Sequence, residues 1–237
     1  SVIGIVYASC IALVQKDLKR LIAYSSIAHV GLFSAGLFTL NRIGVQGAMI
    51  QMISHGIVVF ALFFIIDVIA SRTETRNLPD LGGLRNVAPL LTSVFVVVML
   101  GSVALPLTSG FVGEFLLINS IFQYSAVLGA LAGLTTILGA VYMFRAFQQS
   151  MLGEVNDRTG NVSDLTYTEK AVLYPAVALI VLIGIYPAPL LAISEPAVTA
   201  ILSSIFFKRS LISFFVSRFA VISDSVAATS FLIEECF

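Results

Sequence analysis

An apolar run from Leu90 to Gln123 is interrupted once, by Leu105-Pro106-Leu107-Thr108-Ser109-Gly110, and then resumes carrying a carboxylate at Glu114. No other feature constrains the fold as tightly. The run is long enough to cross a bilayer, for which about 20 helical residues suffice, yet Pro106 cannot sustain a regular helix. Backbone groups freed at that depth find no partner in hydrocarbon, so the segment must be buried in protein or line a wet cavity. Glu114, four residues past Gly110, is a costly side chain at such depth, and residues of this kind mark proton or ion pathways. A titratable group beside a helix break is a device of transporters. The plainer alternative is a kinked helix in which Glu114 is only a structural hydrogen-bonder.

The rest of the chain agrees with a membrane setting. Of 237 residues, 58% are hydrophobic and 11% charged, against about 25% charged in a soluble domain. Six apolar segments precede residue 200: 1–15, 21–40, 44–70, the broken 90–123, 126–147 and 171–192. None alternates with period two, which disfavours a barrel. The expected fold is all-α, a polytopic membrane helix bundle of about six transmembrane helices, one of them discontinuous. The chain opens at Ser1 inside an apolar stretch and reads as the C-terminal part of a longer protein. A zero net charge suggests no nucleic-acid partner, and Cys10 and Cys236 have neither metal-ligand nor disulfide spacing. No phosphate loop, zinc motif, haem pair or dinucleotide fingerprint is present, so no redox cofactor of its own is expected.

The loops sort by charge. Lys16, Lys19, Arg20, Arg72, Arg76, Arg85, Arg145, Arg158 and Lys170 fall on one side, and before residue 200 only Arg42 falls on the other. The positive-inside rule places loops 16–20, 71–88 and 148–170 on the cytoplasmic or matrix side. Arg145, at the end of the fifth span, is expected to snorkel to the interface, and Asp67 to be a solvated or loop-paired group. Residues 1–200 read as a membrane domain and 201–237 as an atypical tail. Over 201–222 an interfacial amphipathic helix is expected rather than a seventh span, because Lys208, Arg209 and Arg218 are spread through it.

Three titratable groups converge on the bilayer midplane, about ten helical residues from either surface. His29 lies ten residues beyond Lys19, His55 eleven beyond Gly44, and Glu114 in the second half of the broken span. Histidine passes protons near neutral pH with little driving force, so His29, His55 and Glu114 are the candidate proton pathway. Ser25, Ser26 and Ser54 are spaced to face their helix's histidine or to hydrate a channel. Asp17 and Lys19, in Asp17-Leu18-Lys19-Arg20, are candidates for support or subunit packing, and Pro106 for forming the break.

Asp17 through Ser26 with His29-Val30-Gly31, and Gln46-Gly47-Ala48 with Gln51-Met52-Ile53-Ser54-His55-Gly56, resemble the proton-conducting antiporter-like family. Its members include large membrane subunits of respiratory complex I and of multi-subunit cation/proton antiporters. Glu at 114, where most paralogues carry Lys, is typical of the complex I branch called chain M or subunit 4. The likeness covers about residues 5–200. It implies a terminal channel carboxylate at Glu114 and connecting histidines at His29 and His55, with the family's lysine-bearing spans upstream. It also implies a proton-translocating subunit of an NADH:quinone oxidoreductase, with NADH, FMN, iron–sulfur clusters and quinone held by partner subunits. The implied partners are other membrane subunits and the lipid bilayer, with protons as the transported species. The implied location is a bacterial inner membrane ahead of a mitochondrial one. The alternatives are a Na⁺/H⁺ antiporter or membrane-bound hydrogenase subunit, and a truncated remnant that conducts nothing.

Overall fold

A computed structural model describes residues 1–205, and every regular element among them is a helix. These are α1 (Val2–Val14), α2 (Leu18–Phe38), α3 (Arg42–Thr73), a short 3-10 helix (Leu78–Asp80), α4 (Leu84–Val87), α5 (Pro89–Ser102), α6 (Ser109–Tyr124), α7 (Ala126–Met151) and α8 (Tyr167–Ile185). A further apolar helix, α9, covers Ala188–Ile205. The chain divides into two compact units, residues 1–195 and 196–237, and every site residue named below belongs to the first.

The long helices begin where short polar side chains satisfy freed N–H groups. Asp17 accepts from the Arg20 N–H at 2.9 Å to open α2, and Asn41 accepts from Gly44 at 2.7 Å to open α3. Thr166 and Glu169 form a reciprocal capping box at the start of α8. At 32 residues, α3 rises about 48 Å, more than the hydrocarbon thickness. It therefore extends past the expected 44–70 segment and stops at Glu74, which takes a left-handed conformation.

The broken span is present. α5 ends at Ser102 and α6 starts at Ser109, so the break covers 103–108 and begins two residues earlier than the Pro106 motif suggests. Ala104 and Leu107 have positive φ values of 57° and 75°, conformations that cost a side-chain-bearing residue free energy unless the surroundings enforce them.

Two expectations need correction. The sixth segment does not run on to residue 192: α8 ends at Ile185, and α9 starts after Tyr186-Pro187. Proline lacks an N–H and pushes its predecessor out of the helical region, and Tyr186 sits at φ −129°, ψ 73°. Apolar residues on both sides of Pro187 therefore make two helices. Arg145 does not snorkel from a last turn, because α7 continues to Met151 and the guanidinium donates to the Leu13 carbonyl at the end of α1. The part of the proposed tail helix from residue 206 on lies outside the described residues.

α2, α3, α7, α8 and α9 are each long and apolar enough to cross a membrane, and α5 with α6 supplies the discontinuous span. α6 lies close on α3: a Cβ on Gly113 would collide with the Gln51 side chain and backbone, so glycine is what admits this approach. Such close contact matters in lipid, where packing and polar bonds hold helices together and apolar burial alone drives little. At the basic-loop end, Arg72 donates to both Glu169 carboxylate oxygens at 2.7 and 2.6 Å and to the Ser163 carbonyl at 2.8 Å. Asp164 accepts from the Leu90 and Leu91 N–H groups, each at 3.0 Å, and so caps α5 from a distant loop.

Candidate functional site

The break sets the position of Glu114. It is the sixth residue of α6, one turn and a half past the start, and only 3% exposed. Its Oε1 stands 3.0 Å from His29 Nε2, and its Oε2 accepts from the Thr136 hydroxyl at 3.0 Å. A buried carboxyl group thus has one partner on α2 and another on α7. Being past the first turn, it lies beyond the strongest reach of the α6 dipole.

His29, also 3% exposed, sits with Nδ1 2.8 Å from the Ser25 carbonyl. A carbonyl only accepts, so Nδ1 carries the hydrogen and fixes the tautomer. The Nε2–Oε1 contact then holds the mobile proton. Either a neutral imidazole accepts from a carboxylic acid, or an imidazolium donates to a carboxylate. The two states differ by a short displacement of one proton.

His55, on α3 and half-buried, stacks on His29 with ring centroids 5.0 Å apart and planes inclined by 27°. Its Nε2 is 2.9 Å from the Ser26 hydroxyl, and Phe33 meets its ring edge-on at 5.4 Å. Stacking, rather than a hydrogen bond, joins the two histidines. Passage of a proton between them needs a bridging water or a ring rotation.

The structure therefore brings Glu114, His29 and His55 into one row, with Ser25 and Ser26 against it. Ser54 does something else: its hydroxyl donates to Ser109 at 2.6 Å, tying α3 to the first residue of α6 and bracing the break. Pro106 is exposed within the break. Asp17 and Lys19 lie apart from the row, at the basic-loop end. Asp17 caps α2 and stands 3.9 Å from Arg76, and Lys19 lines a cavity of about 840 Å³ with Asp67 and Glu74.

Sequence reasoning missed Thr136 and Tyr142. The Tyr142 hydroxyl, fully buried on α7, lies 2.8 Å from the Ser25 hydroxyl. Both residues sit in an apolar helix whose packed face cannot be read without knowing its neighbours. Gln51, 2% exposed, has a side-chain oxygen with no hydrogen-bond partner beside Gly113. Among the described residues, no group of three or more His, Cys, Asp or Glu could hold a metal ion.

The family model described as NADH:quinone oxidoreductase/Mrp antiporter, TM matches residues 1–139. NADH-quinone oxidoreductase subunit M of Rickettsia prowazekii (strain Madrid E) is 42% identical over 203 residues, which are 85% of this chain and 41% of that protein. The chain thus spans about two fifths of the length of such curated relatives. A chain of respiratory complex I from Thermus thermophilus with bound NADH superposes with a TM-score of 0.77 at 29% identity, covering 84% of this chain and 43% of that one. A chain of the Mrp complex from Dietzia sp. DQ12-45-1b gives 0.73 at 22% identity, over 83% of this chain and 45% of that one, a likeness of fold.

Proposed function

Because the chain belongs to the NADH:quinone oxidoreductase/Mrp antiporter transmembrane family, we propose that it carries the carboxylate end of a proton pathway in a membrane-bound NADH:quinone oxidoreductase. The observation that carries this reading is the buried His29–Glu114 contact, 3.0 Å long, beside a helix break. Catalysis of electron transfer is the work of other subunits, which would hold NADH, FMN, iron–sulfur clusters and quinone. This chain's own work is to hold and release a proton.

Glu114 and His29 share one proton, Thr136 steadies the second carboxylate oxygen, and the Ser25 carbonyl keeps the His29 ring oriented. A positive charge arriving beside His55 disfavours an imidazolium at His29 and pushes the shared proton toward Glu114; withdrawing that charge reverses the shift. Such electrostatic switching couples distant redox chemistry to proton movement without electrons entering the chain. Names of bacterial relatives support a bacterial inner membrane as its location and other membrane subunits as its partners.

A second reading, a cation/proton antiporter subunit, draws on the likeness of fold to the Mrp complex. The intact complex housing the chain, sealed in vesicles and given NADH, separates the two. Proton movement that persists without Na⁺ is expected, and a strict Na⁺ requirement would favour the antiporter.

A further inference from the structure

Past Glu114, toward the end of the bundle that holds Ser1 and Tyr124, the seam between α2 and α6 changes character twice. Residues 114, 117 and 120 follow one another at helical spacing along one face of α6. Leu117 is fully buried, and its side chain occupies the place where a Cβ on Gly36 would stand. Leucine therefore seals the seam because glycine opposite leaves room for it.

One turn further on, the seam becomes polar. The fully buried Ser120 hydroxyl lies 2.6 Å from the Thr39 hydroxyl and donates to Asn41 Oδ1 at 3.0 Å, while Thr39 donates to the Gly36 carbonyl at 2.7 Å. Two hydroxyl hydrogens serve three contacts, so one contact is always short of a hydrogen. A proton accepted at Ser120 can be handed on by rotating hydroxyl groups. Thr39 and Tyr124 also line a cavity of about 210 Å³ at this end.

We propose that Leu117, seated on Gly36, is an apolar gate between Glu114 and the Ser120–Thr39–Asn41 cluster, and that this cluster passes protons to the cavity at the Ser1 end. The inference rests on the proton-carrying reading of Glu114. Six residues separate Glu114 from Ser120, a rise of about 9 Å that one or two waters can bridge. Closed, the leucine keeps the gap dry, and apolar constrictions block conduction by excluding water. Open, the Glu114 carboxyl releases its proton to bridging water and remains a carboxylate. Ser120 accepts a proton as its own passes to Thr39, whose hydroxyl proton passes to water in the cavity, while Asn41 Oδ1 orients the Ser120 hydroxyl; a second proton arriving from the His55 side then restores the one that His29 and Glu114 share.

The test uses the assembled complex in sealed vesicles with an imposed pH gradient and no NADH. Leu117→Ser is expected to speed proton leak about tenfold, as a barrier lowered by about 1.4 kcal/mol allows. Phe115→Ser, on the outer face of the same helix, should leave the vesicles tight. Adding Glu114→Gln or Ser120→Ala to Leu117→Ser should suppress the leak. An unchanged leak in Leu117→Ser, or a raised one indifferent to both second changes, overturns the gate. Ser120→Ala alone, which removes only a hydroxyl, should slow NADH-driven proton movement severalfold. Normal movement there overturns the route even if Leu117→Ser fails to assemble. Normal pumping by Glu114→Gln alone instead overturns the functional reading on which the gate depends.

Discussion

His29 Nε2 and Glu114 Oε1 lie 3.0 Å apart across the α2–α6 seam, and both side chains are 4% exposed. Because Nδ1 of the same ring is committed to the Ser25 carbonyl, a single proton decides the charge of both groups. Removing either partner would leave the other buried without its charge partner, Glu114 keeping only the Thr136 hydroxyl and His29 the Ser25 carbonyl.

The two histidines should behave as parts of one path. His29→Ala and His55→Ala are each expected to slow proton transport per assembled complex. The double variant should lose less than the product of the single losses, since stacked residues 5.0 Å apart couple. Multiplicative losses would place them on separate paths.

Thr136 should matter without being titratable. Thr136→Val keeps the shape and removes the hydroxyl that donates to Glu114 Oε2. A hydrogen bond to a charged group is worth about 1.5–3 kcal/mol, so a drop of about tenfold or more in proton transport is expected, with assembly intact. Thr136→Ser should restore most of it.

Legibility in the sequence followed the kind of signal each residue gives. Glu114, His29 and His55 were legible because each could be counted from a charged loop, a turn or the break, and depth in a membrane is a matter of residue number. Ser26 is expected to face His29 on its own helix and instead bonds His55 on α3, a pairing that depends on how the helices pack. Ser54 was not legible either: its hydroxyl braces Ser109, which the spacing to His55 on its own helix gave no means to foresee. Thr136, Tyr142 and the Ser120–Thr39–Asn41 cluster depend on which helix faces which. The end of α8 was misjudged because hydropathy is blind to the backbone effect of Pro187.

Asp164 offers a pH test outside the membrane. Partial burial alone would raise its carboxyl, but N–H groups of Leu90, Leu165 and Leu91 outweigh that and hold it below its ordinary value of 3.8. A depressed carboxyl contributes stability above that ordinary value, and the contribution is lost as pH falls through the lower folded-state value. Asp164→Ala should destabilise the α5 start by about 1 kcal/mol at neutral pH, and the difference from the parent should vanish in strong acid. Thermal unfolding in detergent across that range checks it.

Orientation is testable by reporter fusion. Before residue 200, nine basic residues on one side against Arg42 on the other place a tag near Gly83 in the cytoplasm and one near Asn41 outside it. The reverse pattern would invert the direction assigned to the seam beyond Glu114.

The central claim is that Glu114 carries protons, and the most direct measurement is the number of protons moved per quinone reduced in Glu114→Gln and Glu114→Asp complexes. The expected result is quinone reduction by an assembled Glu114→Gln complex with proton movement reduced at least about tenfold, and partial recovery in Glu114→Asp. A Glu114→Gln complex that pumps at the parental ratio would contradict the account and leave the carboxylate a structural partner of His29.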